Sequence, residues 1–426
     1  MLASGVVDYV IAISVDGLRP DVITQLGEAN LPNFHRLRNE GSFTNNARTD
    51  NDFTVTLPNH AGMLTGRAAS GSAGHSLFEN VDPGGTLHDL AGSYVASAFD
   101  VSHDAGLSTG LYASKSKFAL FDRTWNESAG ALDTTGVDDG RDKIDTYEYN
   151  LNTSQLVDSF VADMAADPHH FSMLHIRDPD SAGHGFGWLT STYLNSIVTV
   201  DSLLGDVFNL IDTDPTLNGN TAIVLTTDHG GENFTHVDPI LPSSYTIPFH
   251  VWGPSIAAGM DLYLLNGGSH QDPSVLRVAN DATSQPIRNM DLGNLSLDLL
   301  GLTAIPDSTF NQSLDLQSSA PQDFWQNPAD RFDVDGDGRI IPQDLLFIVN
   351  EINRNGSRDL QISLPGSLGP PERFFDVSGD GRINPVDALQ LINEINRRLD
   401  EPASGEGQLD PDDVDAELTA PLLPPL

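Results

Sequence analysis

Short apolar runs recur between residue 1 and about residue 312. "VVDYVIAIS" (Val6–Ser14), "STGLYAS" (Ser108–Ser114), "HFSMLHI" (His170–Ile176) and "TAIVLTT" (Thr221–Thr227) are close to continuous rather than alternating. That pattern predicts strands buried on both faces, in a sheet covered by helices. Longer stretches with helical spacing separate them, such as "TYLNSIVTVDSLLGDVFNLI" (Thr192–Ile211). Strand–helix alternation predicts an α/β fold, a three-layer sandwich around a largely parallel sheet.

The pattern changes after residue 312. Residues 313–327 are rich in Ser, Gln, Pro and Asp without periodicity and read as a linker. Residues 328–400 hold a tandem repeat: "DVDGDGRIIPQDLLFIVNEINR" begins at Asp333 and "DVSGDGRINPVDALQLINEINR" at Asp376, with 15 of 22 positions identical. The tail, 401–426, is acidic and Pro-rich, a composition that does not build a core. The expected order is a catalytic domain (1–312), a linker (313–327), a repeat module (328–400) and a tail.

Composition narrows the function. The 426 residues include 39% apolar side chains, enough for a large core. No run reaches the ~20 consecutive apolar residues of a membrane span, so none is expected. The formal charge is −39, from 60 acids and 21 bases. That balance argues against nucleic-acid binding through phosphate neutralisation and suits a cation-rich extracellular setting. The absence of cysteine excludes disulfides, thiol catalysis and thiolate-held zinc. The opening "MLASGVVDYVIAISVDG" has no basic stretch before its apolar run, which reads as a strand rather than a leader.

Acids and histidines follow the predicted strands. The first leads to Asp16, the third to Asp180 and His184 in "RDPDSAGH", the fourth to Asp228 and His229. In open α/β sheets ligands bind beyond the carboxyl ends of the strands, so these groups should share one rim. Oxygen and imidazole donors without thiolate suit Zn²⁺ or a similar ion. Each pair alone also reads as an ordinary turn or a surface histidine; the recurrence at three strand ends is what points to a metal site. In "NDFTVTLPNHAGMLTG", Thr56 heads a Pro-initiated helix. It is expected to cap that helix and to place its hydroxyl at the positive end.

These segments together resemble the alkaline phosphatase superfamily, most closely its type I phosphodiesterase/nucleotide pyrophosphatase domains, over residues 1–312. "SVDGLRPD" is similar to the first metal-ligand strand end and "TLPNHAGMLTGR" to the nucleophile segment T-F-P-N-H, with Leu57 in place of the usual aromatic. "PDSAGH" and "TTDHGG" resemble the D-x-x-x-H and D-H ligand pairs, and "GHSLFEN" the segment carrying a phosphoryl-binding Asn. The resemblance implies a Thr56 nucleophile and two zinc-type ions. One would be held by Asp16, Asp228 and His229 with Thr56, the other by Asp180, His184 and a further His. Of His236, His250 and His270, His236 is expected to complete the second site: it follows the Asp228–His229 loop by seven residues. His250 alternates within a strand-like run, and His270 stands in a polar loop without other ligands. Asn80 would donate to a phosphoryl oxygen, and Asn59 and His60 would brace the loop.

The substrate stays open at this point. Lys115 and Lys117 follow the second strand with alternating spacing. They are similar in place to the Lys-x-Arg pair of superfamily monoesterases, which implies Lys115 in the catalytic set; the alternative is a solvated strand end. Phosphodiesters of nucleotide type are the first expectation and phosphomonoesters the second. A sulfatase is disfavoured, since no cysteine is present. A non-catalytic surface or scaffold-binding protein is the reading from another class, and the presence of every ligand type counts against it.

The repeat reads D-x-[DS]-x-D-G-x-I-x-x-x-D. Asp333, Asp335, Asp337, Arg339 (through its carbonyl) and Asp344 fit an EF-hand-like calcium loop. Asp376, Ser378, Asp380, Arg382 and Asp387 repeat it 43 residues on. Gly338 and Gly381 stand where the loop turns sharply. Asp rather than Glu at the twelfth position, and no evident entering helix, resemble the dockerin type I module. That resemblance implies two Ca²⁺ ions, a small α-helical fold, a cohesin-type partner and an extracellular or cell-surface location. A purely structural calcium-stabilised tail is the alternative.

Overall fold

The computed structural model describes residues 7–319, 325–327, 329–360, 373–379 and 381–400. They belong to two compact units, one within 7–319 and one within 325–400. The tail, and Asp380 of the second loop, lie outside the described residues.

The first unit is built on seven strands: β1 Tyr9–Val15, β2 Ser42–Arg48, β3 Thr109–Ala113, β4 Thr146–Tyr149, β5 Phe171–Ile176, β6 Thr221–Thr226 and β7 Thr246–Trp252. Their order is β2-β7-β6-β1-β5-β3-β4. The run from β6 to β4 is parallel, and β7 pairs antiparallel with both β6 and β2. Three of the four expected strands appear within about a residue of their predicted ends; the first, expected from Val6, begins at Tyr9, and Val6 lies outside the described residues.

Period-two geometry divides the core into two layers. From β1, Val10 and Ala12 pack with Leu57, Ala61 and Leu64 of the helix Thr56–Thr65 and with Leu292 and Leu295 of Leu292–Leu299. Ile11, Ile13 and Val15 face the helices Pro20–Leu26, Pro32–Glu40, Thr153–Ala166 and Ser191–Thr213 on the other side. Full burial of each such aliphatic side chain stabilises by about 1.5–3 kcal/mol. The expected three-layer sandwich is therefore present.

Two segments bear on the expectations from sequence. Ser191–Thr213 is, by length and composition, apolar enough to cross a membrane. Its apolar face is committed instead to the core through Ile197, Val200, Leu204 and Val207. Residues 313–319, expected as linker, stay docked on the first unit. Leu316 is buried in its core, Gln317 N donates to Asn266 Oδ1 (2.6 Å) and Ala257 N donates to Ser318 O (3.0 Å). Periodicity was blind to this because the segment is held by loop hydrogen bonds rather than by a regular element.

In the second unit each acidic loop leads into a helix, Pro342–Asn355 and Pro385–Asp400. Arg358–Asp359 and Arg382–Ile383 pair antiparallel between the two halves. Its core is small: among the described residues Val334, Ile348, Val377, Ile383 and Leu391 are the buried apolar side chains. The described residues just before Asp333 form turns rather than a helix.

Candidate active site

β6, β1, β5 and β3 are adjacent and parallel, so their carboxyl ends form one rim. Ser14 is in register with both His175 and Thr226, and Ala113 with His175. Asp16, Lys115, the helix Asp178–Phe186 and Asp228 all follow within two residues of these ends. Gly17 permits the close approach: its φ is +77°, and a Cβ there would lie 2.8 Å from Asp180 Cα. Asp180 N donates to Asp16 O at 3.0 Å across this junction. Asp180 and His184, four apart on one helix, share a face.

The donors gather into two clusters, Asp16–Asp228–His229 and Asp180–His184–His236. In the first, His229 Nε2 is 3.5 Å from Asp16 Oδ1 and 3.2 Å from Asp228 Oδ2. In the second, Asp180 Oδ1 is 3.3 Å from His184 Nε2 and 3.6 Å from His236 Nε2. His229 also reaches Asp180 Oδ1 at 4.0 Å, so the clusters adjoin. Asp16 Oδ1, Asp180 Oδ1, Asp228 Oδ2 and His229 Nε2 are buried without a hydrogen-bond partner. Buried polar atoms rarely stand so, and four converging ones fit metal ions of the Asp/His type.

The electrostatics fit the same conclusion. Burial opposes charge on Asp16, yet Lys115, the His175 bond and His229 hold its carboxyl well below the usual range. Burial, then repulsion from Asp16, pushes Asp228 well above it. Burial would lower Lys115, but Asp16, Asp180 and Asp228 raise its ammonium above the ordinary value. Burial, with repulsion from His229, takes His236 down to about 3, so it is a neutral imidazole at pH 7. Crowded carboxylates beside neutral imidazoles are what a divalent ion neutralises.

Thr56 opens a ten-residue helix whose side chains are all buried. The expected cap is not made: Val55 is the N-cap residue, and Thr56 is the first helical one. Its hydroxyl instead takes a hydrogen bond from Lys115 Nζ at 3.4 Å. The same ammonium lies 2.5 Å from Asp16 and 2.7 Å from Asp180. Lys115 is thus drawn into the site rather than solvated. Asn80 Oδ1 accepts from Leu57 N (3.0 Å) and Lys117 Nζ (2.7 Å), which leaves its amide NH₂ to donate. His60 braces the turn: Nδ1 meets Thr56 O and Nε2 meets Ser14 Oγ, both at 2.8 Å. Asn59 spans the loop through Asp50 N and the Phe53 and Val55 carbonyls.

His236 joins the rim; the other candidate histidines do not. His250 is buried in β7 against Phe43, and His270 pairs with Ser269 elsewhere on the unit. Sequence reasoning missed His175, whose Nε2 is 3.0 Å from Asp16 Oδ2, and Asn289, which links Asn59 Oδ1 to the carbonyl of Thr227. A polar residue inside the apolar run "SMLHI" was the available signal for the first. In a further donor group, His103 with Asp133 and Asp139, Asp133 is already paired with the buried Lys143.

In the second unit, Asp333, Asp335 and Asp344 converge. Asp333 accepts from the N–H groups of Gly336, Asp337 and Gly338, and Asp376 from those of Gly379 and Gly381. Asp344 and Asp387 close their loops and reach back to Ile341 N and Asn384 N, so each also caps the helix that follows. Ser378 Oγ donates to Asp376 Oδ1 at 3.4 Å.

A family model described as type I phosphodiesterase / nucleotide pyrophosphatase matches residues 10–71 and 92–281. That span holds both donor clusters, Thr56 and Lys115, and omits the segment of Asn80. A model described as dockerin type I domain matches residues 331–396. No curated protein matches. Among solved structures, murine ectonucleotide pyrophosphatase/phosphodiesterase 5, as an inactive threonine-to-alanine variant in complex with AMP, aligns with a TM-score of 0.51 at 17% identity. It covers 72% of this chain and 99% of its own. A second structure of the murine protein gives 0.49 at 17%, covering 70% and 96%. The human counterpart gives 0.49 at 15%, covering 72% and 99%. The first of these shows the fold.

Proposed function

The chain belongs to the type I phosphodiesterase/nucleotide pyrophosphatase family of phosphoric ester hydrolases, and from that premise we propose that it cleaves nucleotide-type phosphodiesters with Thr56 as nucleophile. The observation that carries this reading is the Thr56 hydroxyl itself. It heads a buried helix, is not consumed by capping, and meets a lysine that also bonds Asp16 and Asp180. The murine relative that is inactive with alanine in place of threonine, and that holds AMP, supports the same assignment.

Zinc-type ions at Asp16, Asp228 and His229 with Thr56, and at Asp180, His184 and His236, would acidify the hydroxyl and stabilise charge on the entering and departing oxygens. The chain supplies the rest. The helix N-terminus favours the Thr56 alkoxide. Thr56 Oγ bonds to phosphorus as the P–O bond to the departing alcohol breaks. Water then cleaves the Thr56 ester, which releases the phosphomonoester and restores the hydroxyl. The Asn80 amide donates to a phosphoryl oxygen, held in place by Leu57 N and Lys117. His60 fixes the Thr56 carbonyl and with it the helix start.

A second reading rests on Lys115 and Lys117, two ammonium groups that flank Thr56 and Asn80. Paired cations suit the extra charge of a phosphomonoester. Rates on bis-p-nitrophenyl phosphate, p-nitrophenyl phosphate and a nucleotide diester decide between them: faster diester turnover is expected, faster monoester turnover supports the second reading, and no hydrolysis of any rejects both. For the dockerin type I region, the reading is two Ca²⁺ ions, docking to a cohesin-type partner and a place outside the cell. A start of the module near residue 328 belongs to the same reading. Calcium-dependent pull-down with a panel of cohesin domains tests it.

A further inference from the structure

Beside the Asp180–His184–His236 cluster lies a recess of about 400 Å³, lined by Arg19, Phe186, Trp188, Leu189, Asn233 and Phe234 among others. Trp188 forms its wall. The indole is buried, its Nε1 donates to Gly17 O (3.1 Å), and its ring meets His184 at 5.4 Å and His236 at 6.0 Å. Gly183 and Gly231 make room for it: a Cβ would stand 2.6 Å or 2.4 Å from the ring. Phe186 and Phe234 flank the opening with 61% and 60% of their surface exposed, and Leu189 is also exposed. The two turns that carry these side chains are pinned together by Trp188 N donating to Asn233 O (2.8 Å). Each turn holds a non-glycine residue in the left-handed region, Leu189 at 64° and Asn233 at 51°. Such conformations persist where the surroundings enforce them and cluster at functional sites.

Aromatic rings frame the recess, and its described residues offer no free cation. The Arg19 guanidinium is taken by Asp21 and Gly231 O, and Glu232 is paired with Ser243. In the Thr56 reading the nucleophile shares the ion of Asp16, Asp228 and His229, and His60, which holds the Thr56 carbonyl, lies 3.8 Å from Asp228. An in-line displacement sends the departing group away from the nucleophile, toward the other cluster, whose His184 and His236 rings pack on the Trp188 wall of the recess. Building on the Thr56 reading, we propose that the recess receives the leaving group of the ester and selects an uncharged aromatic one. An aromatic ring matches the Phe186 and Phe234 rings and the indole wall. A further phosphate there would meet Glu232 and no available ammonium or guanidinium.

The test uses the full chain and the double variant Phe186→Ala/Phe234→Ala, which keeps the Phe234 carbonyl that bonds His184 Nδ1. Two diesters share a methyl phosphoryl group; one releases p-nitrophenolate and the other trifluoroethoxide. Comparing variant with wild type on each ester cancels the intrinsic difference between leaving groups. The aryl ester should lose roughly tenfold or more in kcat/KM and the trifluoroethyl ester less than about twofold. Equal losses on both, or none on either, overturn the proposal. Equilibrium dialysis of p-nitrophenol gives a readout without turnover: the wild type should bind it and the double variant should not, and absence of binding to the wild type overturns the recess. If neither ester is cleaved but p-nitrophenol still separates the two proteins, the recess stands and the Thr56 reading falls.

Discussion

The rings of His229 and His236 lie face to face, with centroids 3.5 Å apart and planes 7° from parallel, although they serve different donor clusters. Each fixes its other nitrogen on a backbone carbonyl: His229 Nδ1 on Gly230 O (2.8 Å), His236 Nδ1 on Thr54 O (2.6 Å). Both therefore present Nε2 as a lone pair, the arrangement that orients imidazole toward a metal. The stack also makes the two clusters mechanically one site.

His236→Ala is accordingly expected to lower bound metal from two ions per chain toward one. His250→Ala and His270→Ala should leave it unchanged, since those rings lie away from the rim. Metal analysis of the three purified proteins checks this. Two ions retained in His236→Ala would place the sixth side-chain ligand elsewhere.

Thr56→Ala should remove catalysis while sparing the fold. Among the described residues the hydroxyl makes one hydrogen bond, with Lys115 at 3.4 Å, and caps nothing. Its loss should cost no more than about 1 kcal/mol of stability, whereas kcat should fall by roughly 10³-fold or more. Steady-state rates on a diester and a thermal melt, both at full metal loading, make the comparison. Retention of a few per cent of wild-type kcat would assign the nucleophile to another group.

Much of this arrangement was legible in the chain. Buried parallel strands announce themselves as continuous apolar runs, and Asp16, Asp180 and Asp228 follow those runs directly, so the rim could be anticipated. His236 could be ranked above His250 and His270 by its distance from Asp228–His229, by the strand-like setting of His250 and by the polar loop of His270, once the family resemblance asked for a further histidine. What the sequence did not reveal depends on contacts between distant segments. His175 reads as an oddity in a strand until register places it beside Asp16. The capping role expected of Thr56 failed by one position, the usual margin at a helix end. The docking of Leu316 and the recess around Trp188 arise from loops, which carry no period to read.

Acid should destabilise the first unit partly through His250. Burial, with repulsion from Arg38 and His35, takes its pKa to about 3 from the ordinary 6.5. Between those values the unfolded chain binds the proton and the folded one does not, so stability is complete above pH 6.5 and declines as pH falls toward 3. His75, also near 3 through burial, acts in the same direction. Neither ring nitrogen of His250 has a hydrogen-bond partner, and the ring stacks on Phe43 at 6.0 Å. His250→Phe should then be neutral or stabilising by up to about 1 kcal/mol at pH 7, and it should flatten the acid slope without abolishing it. Denaturant melts from pH 7 to pH 4 measure both; an unchanged slope would mean that His250 is not buried neutral.

Calcium should govern the second unit independently of the ester-cleaving chemistry. Each loop brings several carboxylates around one turn, and Asp333, Asp344, Asp376 and Asp387 are all buried. Without a cation these groups repel one another, and a core with five buried apolar side chains among the described residues opposes them weakly. An ion that binds only the folded form adds its binding free energy to stability, about 2.7 kcal/mol at a hundredfold excess over Kd. A calcium-selective chelator should therefore melt the helices Pro342–Asn355 and Pro385–Asp400 reversibly, while diester hydrolysis in zinc-supplemented buffer persists. Asp333→Ala should remove one calcium and Asp376→Ala the other, because each carboxylate organises its own loop through backbone N–H groups. Calorimetric titration of the full chain and both variants counts the sites. No calcium uptake at millimolar concentration, or a helical signal indifferent to chelation, would leave the repeat as an acidic fold held by its own hydrogen bonds.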